Sequence, residues 1–181
     1  ATGQPIFAVN TVTNVKEARM AGATIDVDWL FTEADQLGLS FTHVYSKIQD
    51  GRSSKTGAQI LKDGARLQDS PKFSLIGRYG HTFTLPGGAT ILPQAKYQWQ
   101  SEKYNASTIQ NTIIGPGVVY QRPFDPRYTT IPSLGILDLS VKFAPASDAW
   151  DITAYLNNAT DELDIKSLSF NDNRNMAANS T

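Results

Sequence analysis

The chain has 181 residues, 40% hydrophobic and 18% charged, which is enough for one domain with a substantial buried core. A net charge of −1 and a pI near 6.1 supply no basic surface for nucleic acid, and the lack of any cysteine excludes a disulfide framework and thiolate chemistry. No run of about 18 apolar residues is present to form a membrane helix. The mean hydropathy of −0.29 stays compatible with a membrane barrel, because lumen-facing and loop residues dilute the apolar ones.

Residues 5–13 are rich in β-formers (Ile6, Phe7, Val9, Val12) and extend into a first strand, giving an expected element over about 5–30. From Arg19 onward the side chains alternate. Ala21, Ala23, Ile25, Val27 and Trp29 lie on one face, with Gly22, Thr24, Asp26 and Asp28 on the other. Only 15–20 would tolerate a turn of helix; no longer window sustains a helical period. A short connection at 31–35 precedes a return strand over about 36–48, with Leu37, Leu39, Phe41 and Tyr45 opposed to Ser40, Thr42 and Ser46. Residues 49–71 are polar and glycine-rich and read as a loop.

A third strand is expected over about 72–84. Phe73, Leu75, Tyr79 and Phe83 face one way; Ser74, Arg78, Thr82 and Thr84 face the other. Leu85-Pro-Gly-Gly88 makes a tight turn, with proline fixing φ and glycine supplying positive φ. The fourth strand, about 89–101, sets Ile91, Ala95, Tyr97 and Trp99 against Gln94, Lys96, Gln98 and Gln100. Residues 102–132 read as a long connection in which prolines at 116, 123, 126 and 132 block regular structure. Two strands follow, at about 134–143 and 150–157, placing Asp138, Lys142 and Asp151 opposite Leu137, Leu139, Val141, Phe143, Trp150 and Ile152. The tail from Asn157 is polar and shows no further strand.

A side-chain period of two, with short turns at one end and long loops at the other, predicts an antiparallel up-and-down meander of the kind that walls a transmembrane barrel. Trp29, Phe31, Phe83, Phe143 and Trp150 crowd the short-turn end; Tyr45, Phe73, Tyr97 and Trp99 lie near the other. Such aromatic girdles mark the two interfaces of a bilayer. Strands of this length also meet the roughly 9–11 residues a tilted crossing needs. A soluble, secreted β-sandwich binding module, for carbohydrate for instance, would alternate similarly on its inward faces, and detergent dependence separates the two.

Several runs in the chain resemble the barrel of TonB-dependent outer-membrane receptors. Ala18-Arg-Met-Ala-Gly-Ala-Thr-Ile-Asp26, a short turn and Leu37-Gly-Leu-Ser-Phe-Thr42 are similar to a barrel hairpin of that family, where a strand opens close to A-R-x-x-G-x-E. Asp26 lies near where the carboxylate falls. Ser70-Pro-Lys-Phe73 entering a hairpin with Tyr97 and Trp99, then Leu137-Asp-Leu-Ser-Val-Lys-Phe143, also fit. So does Asn158-Ala-Thr-Asp-Glu162, which stands where the family has N-L-T-D-E, with Ala159 for leucine.

The resemblance implies an arc, the C-terminal part, of a 22-stranded transmembrane β-barrel, plugged in the complete receptor. It implies a non-enzymatic transport role in the outer membrane of a Gram-negative bacterium. The expected cargo is siderophore-iron, cobalamin or another scarce solute, and the energy source is TonB. The implied partners are outer-membrane lipid, a plug domain and TonB outside this chain, and the solute; no cofactor is implied. No plug precedes the first strand and the chain ends Asn179-Ser-Thr181, so residues 1–181 are expected to be a partial barrel domain. About six strands cannot close a barrel when the smallest has eight.

The expected lumen-facing residues are Asp26, Asp28, Arg78, Lys96, Gln98, Gln100, Asp138, Lys142 and Asp151, lining a wet interior that in the family meets the plug. The expected interface aromatics are Trp29, Tyr45, Phe73, Phe83, Trp99, Phe143 and Trp150. In the loops, Tyr104, Tyr120, Arg122, Phe124, Arg127 and Tyr128 are candidates for ligand contact, since aromatics and arginine suit planar or anionic solutes. Gly51-Arg-Ser-Ser-Lys-Thr-Gly57 lacks the phosphate-loop order, and Lys55-Thr-Gly57 has no S-x-x-K to supply a nucleophile. His43 and His81 read as packed rings, and Asp161, Glu162 and Asp164 as solvated loop charge. No metal site and no catalytic constellation is expected.

Overall fold

A computed structural model describes residues 14–55, 57, 59, 61–105, 111–115, 118–121, 130–170 and 176–180. Its elements are β1 (Val15–Leu30), β2 (Asp35–Ser53), β3 (Phe73–His81), β4 (Phe83–Thr84), β5 (Thr90–Gln100), β6 (Lys103–Tyr104) and β7 (Asn111–Gly115). They continue as β8 (Val118–Gln121), β9 (Thr130–Ile131), β10 (Leu134–Ala144), β11 (Ile152–Leu156), β12 (Ile165–Phe170) and β13 (Met176–Ser180). Every pairing is antiparallel, and the fold is an all-β meander.

One seven-stranded sheet in the order β1-β2-β3-β5-β10-β11 carries the molecule, with β4 continuing β3 along β5. Sequential neighbours pair: β1–β2, β4–β5 and β10–β11 close through short turns, whereas residues 54–72 and 101–133 link β2 to β3 and β5 to β10. In the turn between β4 and β5, Gly87 and Gly88 sit at φ of 98° and 90°, which a side chain rarely tolerates. The hairpins are staggered. Gln36, beside the first turn, pairs with Gly80, whereas that neighbouring strand runs on to Thr84 before it turns. Stagger of this kind accompanies strand tilt in a curved wall.

The register fixes two faces. Along one row Ile25, Phe41, Leu75, Trp99 and Gly135 are mutual neighbours; along another, Trp29, Leu37, Tyr79, Ala95, Leu139 and Leu156. The alternate rows carry the polar residues. No dry core separates the faces. Among the described residues the buried hydrophobic side chains are Ile48, Ile131 and Ala144, whereas Ile25, Trp29, Ile152 and Leu156 are all more than half exposed. No second sheet packs over the apolar face among the described residues, so the structure contains no β-sandwich interior.

Four expectations are corrected. β2 runs to Ser53, well into the expected loop, because residues 61–65 fold back and supply partners: Leu61 N–H donates to Gly51 O (3.0 Å) and Ile48 N–H to Ala65 O (2.9 Å). The described residues of the 102–132 connection are not all loop. Lys103 pairs with Ile131 and Asn111 with Gln121, and Pro132 follows β9 directly, so its missing N–H falls outside that ladder. The tail contains β12 paired with β13. The last meander strand is shorter than expected, starting at Ile152 rather than at 150. Residues 5–13 of the first expected strand lie outside the described residues.

Candidate functional site

The polar face is the chemically equipped one. A concave recess of about 670 Å³ opens on this side, lined by residues from every long strand between β1 and β11, including Asp28, Gly38, Arg78, Lys96, Asp138 and Tyr155. A hollow shared by six neighbouring strands fits a sheet curled toward its polar face, with the apolar face convex; the hollow on the apolar side, about 540 Å³, is local to β3, β4, β5 and β10.

One cross-strand row dominates the recess: Asp28, Gly38, Arg78, Lys96 and Asp138 are successive register partners. Arg78 Nη2 donates to Asp28 Oδ1 at 3.0 Å, reaching across the intervening strand. It can do so because residue 38 is glycine. A Cβ there would stand 2.9 Å from Arg78 Nε and Nη2 and 3.0 Å from Asp28 Oδ1. Both charges are mostly exposed, so the pair contributes at most about 1 kcal/mol and serves to set orientation. At the other end, Asp138 accepts from Gln98 Nε2 (3.3 Å) and from the Asn158 backbone N–H (3.0 Å). Lys96 lies between Arg78 and Asp138 and has no hydrogen-bond partner among the described residues.

The remaining residues of the set share this face. Asp26 stands opposite Ser40, and Gln100 opposite Ser74 and Leu134. Lys142 Nζ pairs with Asp151 at 3.2 Å across the last short turn. Ile76 and Ile136 also project to this side, flanking Gln98, so the polar face is not uniformly polar.

On the convex face the aromatics form contacts across strands. Phe31 lies 5.4 Å from Trp29 and stacks on Tyr79 at 6.3 Å; Phe143 and Trp150 are 5.7 Å apart. Phe83 meets His81 edge-on at 4.3 Å. Toward the long connections, Phe73 contacts Phe41 (6.0 Å) and His43 (5.0 Å), Trp99 faces Leu75, and Tyr45 faces Ala21. Tyr97, expected among this group, instead sits mid-strand opposite Gly77 with its ring over Gly135; Tyr79 joins the short-turn group.

A polar network at the first short turn was not anticipated. Asp35 accepts from Tyr79 OH (2.7 Å), His81 Nδ1 (2.6 Å) and Thr32 Oγ1 (2.5 Å), while Thr32 Oγ1 accepts the N–H groups of Ala34 and Asp35. The hydrogen bond from Thr32, then those from His81 and Tyr79, lower the Asp35 pKa to about 2. Thr32 three residues before Asp35 is a turn-capping spacing and was the available sequence signal. The two histidines are packed rings as expected, but His81 also holds this carboxylate.

At the other end the two long connections are laced together. Asp69 N–H donates to Tyr104 O (2.9 Å), Lys103 pairs with Asp69 (3.4 Å), and Arg66 reaches Ser70 O (3.1 Å) and Glu102 (3.9 Å). Tyr104 is thus placed at the base of the connection. Tyr120 belongs to β8; Arg122, Phe124, Arg127 and Tyr128 lie outside the described residues. Asn158, at φ 50°, accepts from Glu162 N–H and donates to Glu162 O, both at 3.0 Å. That closed loop gives Asn158-Ala-Thr-Asp-Glu162 a physical basis. Asparagine tolerates the left-handed backbone and bridges to the fourth residue on. Asp164 pairs with Lys166, and among the described residues no three acidic or histidine side chains are grouped as metal ligands.

A curved antiparallel wall with a polar concave face and an apolar convex one defines the class of a β-barrel wall. Residues 1–159 match the family described as TonB dependent receptor-like, beta-barrel, and the chain belongs to that family. Its members are outer-membrane transport receptors rather than enzymes. No curated protein and no solved structure matches the chain.

Proposed function

We propose that this chain is an arc of a 22-stranded, plugged barrel in the outer membrane of a Gram-negative bacterium. Through it a scarce solute, a ferric siderophore above all, enters with TonB-derived energy. The observation that carries this reading is the pairing of faces. The convex face exposes Ile25, Val27, Trp29, Phe41, Tyr79, Tyr97, Val141, Ile152 and Leu156 as one continuous apolar surface. Water does not tolerate so large an apolar patch on a monomer, whereas lipid does.

Asp26, Asp28, Arg78, Lys96, Gln98, Gln100, Asp138, Lys142 and Asp151 then line the lumen and meet a plug domain. The solute is captured at the outer mouth, by residues of the long connection that includes Tyr104 and Tyr120, with Arg122, Phe124, Arg127 and Tyr128 as the further candidates for contact. The rows Trp29–Tyr79 and Phe143–Trp150 mark one interface, and Tyr45, Phe73 and Trp99 approach the other. Deleting the gene in its own bacterium and following labelled ferric siderophores under iron limitation tests the reading. Uptake should be lost in the deletion strain, and lost in the parent on adding a protonophore. Uptake that is unchanged, or that persists without an energised inner membrane, contradicts it.

A further inference from the structure

The convex face changes character at its long-connection end. Arg19 and Lys47 are direct register partners, one step along the strands from the Ala21–Tyr45 pair, and both project to the convex side. Like charges directly opposite each other on one sheet face repel. No carboxylate or other side chain pairs with either among the described residues. The next pair along is acidic, Glu17 and Asp50, but Arg52 occupies Asp50 at 2.5 Å. A third cation stands across the ring patch from them, beside Phe73, which is the register partner of His43. Lys72 Nζ sits 5.1 Å over the ring of Phe73, which packs against Phe41 and His43 on the same face.

Three cations therefore border a patch of four rings, Phe41, His43, Tyr45 and Phe73, with apolar side chains continuing along the strands beyond. An unsatisfied cation pair above an apolar slope fits an amphiphile with an anionic head and acyl chains. We infer that Arg19 and Lys47 form a binding site for the phosphate of an anionic membrane lipid, whose chains lie along the Phe41–Phe73 patch with Lys72 at its border. A free phosphate would satisfy the charges but leave the rings uncovered. A zwitterionic lipid such as phosphatidylcholine would cover the rings but set an ammonium of its own beside the cation pair. The inference rests on the membrane reading above.

The test reconstitutes the purified protein with equal phosphatidylglycerol and phosphatidylcholine, extracts it in mild neutral detergent and counts retained lipids by native mass spectrometry. The wild type should retain phosphatidylglycerol preferentially. The double variant Arg19→Ser with Lys47→Ser should lose that preference by roughly twentyfold, since each basic residue near an anionic surface contributes about a factor of five. Arg19→Lys should keep the preference. So should Lys142→Ser, which removes a cation from the opposite face. Far-UV circular dichroism of each variant reports folding. An unfolded double variant hands the decision to Arg19→Lys and to competition with excess inorganic phosphate on the wild type.

Equal retention of both lipids by the wild type overturns the inference, as does unaltered preference in the folded double variant or loss of it in Arg19→Lys. Displacement of phosphatidylglycerol by inorganic phosphate overturns it in favour of a soluble anion. A chain that stays folded in plain buffer and takes up neither lipid contradicts the membrane reading itself. Insertion with no lipid preference contradicts only this site.

Discussion

Asp35 opens β2 at the first short turn, beyond the Trp29–Leu37 aromatic row, and is held by three donors, two from β3 and one from the turn. Its carboxyl titrates near 2 in the folded chain, against about 3.9 for an unfolded aspartate. Because the folded value is depressed, the stabilisation is complete above the unfolded value and drains away as pH falls through the folded one. Wild-type resistance to thermal unfolding in detergent should therefore decline between about pH 4 and 2. In Asp35→Asn that decline should shrink, the curve being flatter and lower at neutral pH. Matching slopes in the two proteins would remove Asp35 as the acid-sensitive group. The spacing from Thr32 to Asp35 was readable in the sequence. That Tyr79 and His81 converge on the same oxygen was not, because it depends on a register set between strands more than forty residues apart.

At the scale of elements, β2 is the unusual one. Its 19 residues span roughly 65 Å, or about 45 Å along the membrane normal at a 45° tilt, against a hydrocarbon core of about 30 Å. The excess at its far end is where residues 61–65 fold back, and there Ile48 is fully buried. Truncating Ile48 to alanine should cost about 2–5 kcal/mol. It should also speed amide exchange at Leu61 and Gly64, whose N–H groups bond back to β2. Hydrogen exchange that changes uniformly along the chain, or not at all, would show that the fold-back does not depend on this side chain. The long meander strands were legible because alternation is a local property of sequence. The strands inside 102–132 were not, since prolines obscure them. β12 and β13 were missed for another reason. Ile165, Leu168 and Phe170 are not spaced at a regular interval of two in the sequence, and Met176–Ser180 contains no β-branched residue, so pairing rather than propensity makes them strands.

For the whole molecule, alternation alone separates two faces but cannot say which is concave or what covers the other. Curvature supplies the first answer and the family match the second. The recess row from Asp28 to Asp138 was visible only as scattered charges; its assembly needed the register, and the Arg78–Asp28 contact needed Gly38 between them. The central claim is that the convex face meets lipid, and the tryptophans are placed to report on it. All three in the chain, Trp29, Trp99 and Trp150, belong to that face by register or by ring contact. The direct measurement is tryptophan fluorescence of the reconstituted protein in vesicles whose lipids carry bromine on the acyl chains, compared with quenching by aqueous iodide. Strong quenching by the brominated chains and little by iodide is the predicted result. Strong iodide quenching with no response to bromine would contradict the account.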